Sequence, residues 1–122
     1  MSSVIGEFTE SGLVKENGVE ARAKRGRNPV MIEFVPSARC VLAIDLGGLN
    51  AKAGLVNLDG QVCASLVGPR IGPNSSESIL TDWVIEASKE LLKQVSPTKV
   101  LGIGVAVAGT VDPSEGMVSL AP

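Results

Sequence analysis

The chain contains no histidine and no tyrosine, and its only aromatic residues are two phenylalanines and one tryptophan. The absence of histidine excludes His-based catalytic triads, histidine metal sites and imidazole pH switches. The shortage of aromatic faces argues against a stacking platform for single-stranded nucleic acid. Cys40 and Cys63 are too few for a disulfide scaffold or a four-cysteine zinc site. They are interpreted as small apolar side chains in a reducing compartment.

Long apolar runs are also missing, and the N-terminus lacks the pattern of a signal peptide. These absences predict a cytoplasmic protein with no membrane partner. A net charge of −2 gives the chain as a whole no attraction to DNA or to anionic lipid. With 44% hydrophobic and 20% charged residues over 122 positions, the composition is that of one small globular core.

The sequence is polar up to about Arg39 and apolar from Cys40 onward. In the first part, a short helical pattern ends at Ser11-Gly12 and predicts a helix end, followed by a β-ribbon whose returning strand lies within 29–35. The predicted tip of this ribbon carries four cations, namely Arg22, Lys24, Arg25 and Arg27. A cluster of this kind is either a solvated loop or a contact to DNA phosphates, where cations gain free energy by releasing counterions.

The second part predicts three antiparallel strands, a helix, a fourth strand parallel to the first, and a final hairpin. The predicted strands are 40–45, 50–57, 61–67 and 100–107, and the predicted helix is 77–95. Residues 69–76 are predicted to be a loop, and Asn74 with Glu77 fits a capping box at the start of the helix. Gly109-Thr110 is predicted to be a turn. This order of elements indicates an α/β fold.

The first candidate for chemistry is the turn Asp45-Leu-Gly-Gly-Leu-Asn50. Two glycines allow a phosphate to approach the backbone closely, and an acid after a buried strand can hold a magnesium ion beside it. The same residues also suit a simple tight turn. Because a strand follows, the turn matches neither a P-loop nor a Rossmann fingerprint.

The second candidate is the glycine-rich and alanine-rich segment 102–112. Small residues at the end of a buried strand either leave room for a ligand at the carboxyl edge of the sheet or permit close packing of a helix. The carboxylates on the predicted helix are interpreted as its wet face, and nothing in their pattern suggests paired acid–base catalysis.

The combination of these motifs resembles the ROK family of repressors, open reading frames and sugar kinases. The matching segments are Asp-Leu-Gly-Gly-x-Asn, Ala-Gly-Leu-Val-Asn-Leu-Asp-Gly and Gly-Ile-Gly-Val-Ala-Val-Ala-Gly-Thr-Val-Asp-Pro. The resemblance implies an actin-like, ribonuclease-H-like ATPase fold. Upstream, the segments around Glu10 and Gly26 resemble the end of the winged helix that precedes the sugar-binding domain in ROK repressors. The resemblance therefore implies two parts: 1–36, the C-terminal remnant of a winged helix-turn-helix, and 37–122, an incomplete N-terminal lobe of the sugar-binding or kinase domain.

The family pattern implies roles for individual residues. Asp45, Gly47, Gly48 and Asn50 match the family's phosphate-binding turn, here as a vestige, because Leu49 stands where family kinases usually carry Thr. Gly109 and Thr110 match a loop on the sugar side. Residues 1 to about 8 match the C-terminal part of the recognition helix. The residues expected to face DNA are Ser2 and Ser3, near the DNA-facing side of that helix, and the wing residues Arg22, Lys24, Arg25 and Arg27.

The resemblance implies a fragment of a sugar-responsive transcriptional regulator that lacks catalysis and needs no cofactor or metal. Its expected partners are a DNA operator, a small sugar or sugar phosphate, and further copies of itself. The alternative is the N-terminal lobe of an ATP-dependent ROK sugar kinase such as a glucokinase, in which ATP and magnesium would bind. A third alternative is an interaction domain that has the fold but binds no ligand.

Overall fold

The computed structural model describes residues 3–19 and 30–120. Within these ranges twelve elements follow one another, and a four-stranded sheet with the longer of the two α-helices forms the central body. Two small antiparallel pairs of strands, one before this body and one after it, complete the described part of the chain.

The first helix, α1, spans Ser3–Glu10 and ends in a Schellman motif. The Leu13 N–H donates to the Phe8 carbonyl at 3.0 Å, and the Gly12 N–H donates to the Thr9 carbonyl at 3.1 Å. Gly12 has a φ of 81°, a conformation that glycine adopts without steric cost. The predicted helix stop at Ser11-Gly12 is confirmed.

A β-ribbon follows, made of β1 (Val14–Val19) and the antiparallel β2 (Val30–Phe34). The strands pair from Val14 with Phe34 to Val19 with Val30, so the ribbon leads directly to the segment that carries the basic residues. That segment, 20–29, lies outside the described residues. Together, α1, β1 and β2 form the helix–ribbon unit.

The main sheet has the strand order β5-β4-β3-β6. Its strands are β3 (Cys40–Leu46), β4 (Asn50–Asn57), β5 (Val62–Arg70) and β6 (Val100–Val107). The first three form an antiparallel meander, and β6 pairs with β3 in parallel, as the sequence predicted. The turn between β4 and β5 closes through Gly60, which has a φ of 85° and donates to the Asn57 carbonyl. The final hairpin consists of β7 (Gly109–Asp112) and β8 (Met117–Leu120).

The second helix, α2, spans Glu77–Leu92 and packs on one face of the sheet. The buried cluster between helix and sheet combines alternate residues of β3 and β4 with one stripe of α2. Its members are Cys40, Leu42, Ile44, Ala53, Leu55, Ala87 and Leu91. Trp83 lies over β5 so closely that a Cβ placed on Gly68 would come within 2.3 Å of the indole ring. Gly68 is therefore required by packing, because any side chain there would collide with the ring.

Four details of the sequence prediction were wrong. The N-cap of α2 is Ser76, whose Oγ accepts from the Ile79 N–H, and not Asn74, because Ser76 is the residue directly before the first helical turn. The helix ends at Leu92 rather than Val95. Strand β5 runs on to Arg70 because Arg70 pairs with Asn50, and an edge strand tolerates Pro69. Gly109 and Thr110 open strand β7 instead of forming a turn.

Candidate site at the carboxyl edge of the sheet

The strongest candidate site lies where β3 and β6 end side by side. Their parallel pairing places Asp45 opposite Ala106 and Leu46 opposite Val107. A Cβ added to Gly47 would lie 3.7 Å from the Ala108 backbone nitrogen, so the turn after β3 and the segment after β6 are in contact range. The structure thus brings the two predicted candidates, 45–50 and 102–112, to one edge of one sheet. Ligands of open α/β sheets bind at this kind of edge.

The turn after β3 is closed by a hydrogen bond to the carboxylate of Asp45. The Gly47 N–H donates to Asp45 Oδ1 at 2.9 Å, and a Cβ on Gly47 would lie 3.3 Å from the same oxygen. Neither Gly47 nor Gly48 has a positive φ, so the turn does not form an αR–αL nest of N–H groups. An anion that used the Gly47 N–H would have to displace the Asp45 carboxylate.

Asn50 does not point into this turn. Its side-chain amide donates to the Gly68 carbonyl at 3.0 Å, which ties the start of β4 to β5 beside Trp83. Leu49, at the position of the family hydroxyl, is 73% exposed. The Gly47 N–H is therefore already occupied, Leu49 adds an apolar side chain, and the phosphate role of these residues stays a prediction.

The segment after β6, where the family pattern predicts a sugar-side loop, contains a glycine with a positive φ. Gly109 has a φ of 134°, a conformation that L side chains rarely adopt. Thr110 is exposed and pairs with Ser119 across the final hairpin. The two residues follow Ala108, which approaches Gly47 at the edge formed by β3 and β6, and their sugar-side role stays a prediction.

The tip of the final hairpin is fixed by Asp112. Its Oδ1 accepts from the Ser114 hydroxyl at 2.7 Å and from the Ser114 N–H at 3.0 Å. These hydrogen bonds stabilise the charged form and lower the pKa of the Asp112 carboxyl below its ordinary value of 3.8. Sequence reasoning did not assign this role to Asp112, although an Asp two residues before a Ser in a turn is a recognisable signal.

The sheet face opposite α2 carries an open apolar cavity of about 660 Å³. Its floor consists of small residues of three neighbouring strands, among them Ala43, Gly54 and Gly104. Asp45 and Lys52 form its charged end, and they are direct partners in the pairing of β3 with β4. Asp45 therefore borders both the turn and this cavity.

The residues predicted to face DNA fall mostly outside the described part of the chain. This applies to Ser2, Arg22, Lys24, Arg25 and Arg27, while Ser3 opens α1. In the ribbon that leads to the basic segment, Lys15 Nζ lies 3.8 Å from Glu33 Oε2, and both side chains are at least half exposed. The structure therefore shows the helix and the ribbon, and the contacts to DNA stay predictions.

Within 3–19 and 30–120, no group of three acidic, cysteine or histidine side chains is arranged to hold a metal ion. Among the helices of these ranges, neither is long and apolar enough to cross a membrane.

The comparisons with known proteins agree with the motifs. The chain is 30% identical over 125 residues to a putative xylose repressor of Caldicellulosiruptor sp. strain Rt8B.4, and 31% identical over 124 residues to the xylose repressor of Caldicellulosiruptor bescii. Each match covers 100% of this chain and 31% of the relative, so the chain spans about a third of the length of these repressors. The xylose repressor of Bacillus subtilis is 28% identical over 120 residues.

A solved structure shares the fold. The crystal structure of a ROK-family transcriptional regulator, a homologue of the E. coli MLC protein, superposes with a TM-score of 0.61 at 21% identity and covers 98% of this chain and 30% of that one. No family profile matches the chain. The sequence relatives are repressors matched over the whole of this chain, and the solved ROK-family structure shares its fold, so both agree with the resemblance to the ROK family.

Proposed function

We propose that the chain is part of a sugar-responsive transcriptional regulator, in which 1–36 belongs to the DNA reader and 37–122 to the lobe that senses the sugar. The observation that carries the proposal is the joint presence of two arrangements in one chain. A helix followed by an antiparallel ribbon precedes a β5-β4-β3-β6 sheet, and repressors are its relatives over the whole length of the chain. A helix and a wing serve DNA binding, and the carboxyl edge of such a sheet serves ligand binding.

In this proposal, DNA is contacted by the four cations Arg22, Lys24, Arg25 and Arg27 and by Ser2 and Ser3, which lie near the DNA-facing side of the helix. The sugar lies on the side of Gly109 and Thr110. Sugar binding favours one arrangement of the whole regulator, which changes the spacing of paired DNA readers and so the affinity for the operator.

The test uses this chain, a fluorescently labelled DNA duplex and anisotropy measured at several salt concentrations. We expect weak binding that salt suppresses, since each phosphate contact contributes about −0.9 to the slope of log K against log salt. Replacing the four ribbon cations by Gln should abolish binding and remove a slope of about 3 to 4.

The matched control removes the same number of positive charges elsewhere, by substituting Arg70, Lys89, Lys93 and Lys99 with Gln. This variant should retain most of the affinity. Equal losses in the two variants would mean that net charge, and not the ribbon, attracts the DNA.

Catalysis is not part of the proposed function. The turn after β3 presents Leu49 where a hydroxyl is expected, and its Gly47 N–H is bound to Asp45. A coupled assay should therefore detect no sugar-dependent consumption of ATP. Turnover above the blank would favour the kinase alternative, which the repressor relatives do not favour.

Self-association is also part of the proposal. Strand β6 lies at the edge of the sheet, and Leu101, Ile103 and Val105 on it are 62%, 60% and 57% exposed. An apolar edge strand without a charge or a proline is prone to pair with another strand. Sedimentation should show a dimer or larger species, and Ile103→Lys should shift the population toward the monomer. A wild-type chain that sediments as a folded monomer would contradict this part.

A further inference from the structure

One arginine side chain links the end of α1 to the residue that precedes the main sheet. Arg39 lies between the short 3₁₀ turn Pro36–Ala38 and strand β3, and its neighbours Ala38 and Cys40 are buried at 6% and 5% exposure. Its backbone is therefore anchored at the base of the core. Its half-buried side chain reaches back along the chain to Ser11, 28 residues earlier.

The guanidinium bridges two backbone carbonyls. Nη2 donates to the Ser11 carbonyl at 2.9 Å, and Nη1 donates to the Ala38 carbonyl at 2.8 Å. Ser11 follows the last residue of α1, where carbonyls lack a partner within the helix and carry the negative end of the helix dipole. A planar fork with two parallel donors suits this double contact, whereas the ammonium of a lysine is a point charge.

This contact differs from the others that hold the helix–ribbon unit in place. Within the described residues, it is the one side-chain hydrogen bond that joins the part of the chain up to Phe34 to the residues that follow it. The ribbon itself is closed by the Val35 N–H donating to the Leu13 carbonyl, and the 3₁₀ turn is tied to the sheet by the Leu58 N–H donating to the Pro36 carbonyl. Those two backbone bonds lie at the ribbon and at the 3₁₀ turn, whereas the Arg39 contact is made at the end of α1.

We propose that Arg39 is the positioning residue that fixes the orientation of the helix–ribbon unit on the sheet. The regulatory meaning of this role rests on the proposed function, because Arg39 directly precedes β3 (Cys40–Leu46) and Asp45, near the other end of that strand, borders the candidate ligand site. Arg39 then joins the DNA reader to the strand that ends at the sensor. Without Arg39, a ligand bound at the far end of β3 could not change the orientation of the DNA reader through this strand.

The experiment measures this orientation directly. Spin labels are placed at Glu7→Cys on α1 and Glu90→Cys on α2, both exposed positions, in a Cys63→Ser background, and their distance distribution is recorded by pulsed electron paramagnetic resonance. We expect a single narrow peak for the chain with Arg39. Arg39→Gln should lose that peak to a broad distribution, and Arg39→Lys should restore part of it, because a lysine can reach only one of the two carbonyls.

Two controls isolate the effect. Arg70→Gln removes an arginine from β5 and should leave the peak unchanged. A second pair of labels, at Asp59→Cys and Glu90→Cys within the sheet and its helix, should stay narrow in every variant and so reports that the core is folded. If Arg39→Gln disturbs the second pair as well, the lysine variant decides the question.

A narrow peak that survives both Arg39→Gln and Arg39→Lys, or a lysine variant that matches wild type, would overturn the proposal. Its failure is separate from that of the proposed function. If the chain binds no DNA in the anisotropy assay while Arg39→Gln still loses the peak, the positioning role stands and the regulatory one falls.

Discussion

The two parts of this chain are stabilised in different ways. The sheet with α2 buries side chains from β3, β4 and the helix in one cluster, and Leu42 and Leu91 have no exposed surface. In the helix–ribbon unit, Phe8 and Phe34 are 43% and 51% exposed. Apolar burial holds the sheet and α2 together, whereas backbone hydrogen bonds and the contact from Arg39 hold the helix–ribbon unit. Regular secondary structure therefore does not by itself indicate where a chain gains its stability.

The largest expected difference between the two parts concerns core truncation. Leu91→Ala should lower the free energy of unfolding by about 3 kcal/mol, because it removes a fully buried side chain and leaves a cavity. Phe8→Ala should cost less than about 1 kcal/mol, since that ring already contacts solvent. Urea unfolding followed by circular dichroism measures both. Equal costs would show that the helix–ribbon unit has a core of its own.

The next effect tests how tightly α2 packs on β5. Gly68→Ala should cost about 1–3 kcal/mol, because its Cβ would overlap the ring of Trp83 and force the indole to move. Since the chain has one tryptophan, its fluorescence reports the displacement directly. Gly72→Ala is the matched control, because nothing lies within 4 Å of the added carbon. Unchanged emission in the Gly68 variant would mean that the contact is looser than the structure shows.

A smaller effect distinguishes two residues before α2. Ser76→Ala should cost about 0.5 kcal/mol, at the lower end for an N-cap, because the Oγ to Ile79 nitrogen distance is 3.4 Å. Asn74→Ala should leave the midpoint of thermal unfolding unchanged. The reverse order would restore the capping box that the sequence predicted.

The smallest effect lies in the ribbon. Lys15→Ala should change the free energy of unfolding by less than about 0.5 kcal/mol, since its ion pair with Glu33 is exposed and spans 3.8 Å. A double-mutant cycle with Glu33→Ala isolates the pair. A coupling energy well above this value would show that the ribbon depends on charge more than its exposure suggests.

The sequence predicted the elements better than their ends. Strands β3 and β6 follow from continuous apolar runs, and β4 follows from the turn signals on either side of it. The parallel pairing follows from the helix between β5 and β6. The end of β5 escaped prediction because Pro69 and Gly72 look like loop residues, whereas Arg70 pairs with Asn50 across the sheet. Local propensity carries no information about such a partner.

The candidate site shows the same limit. The glycine pattern located the turn at 45–50, but hydrogen bonds decide what the turn can bind. The contacts from Gly47 to Asp45 and from Asn50 to Gly68 depend on side-chain directions that only the folded chain defines. Arg39 was missed altogether, because an isolated arginine before an apolar strand forms no motif, and its partner Ser11 lies 28 residues away.

The parallel pairing of β3 with β6 also has a kinetic meaning. The three antiparallel strands are joined by short turns, while Cys40 meets Val100 only after about 60 intervening residues are looped out. We therefore expect the meander to assemble early and β6 to dock late. During synthesis from the N-terminus, the place where Gly47 approaches Ala108 comes into existence only at that final step.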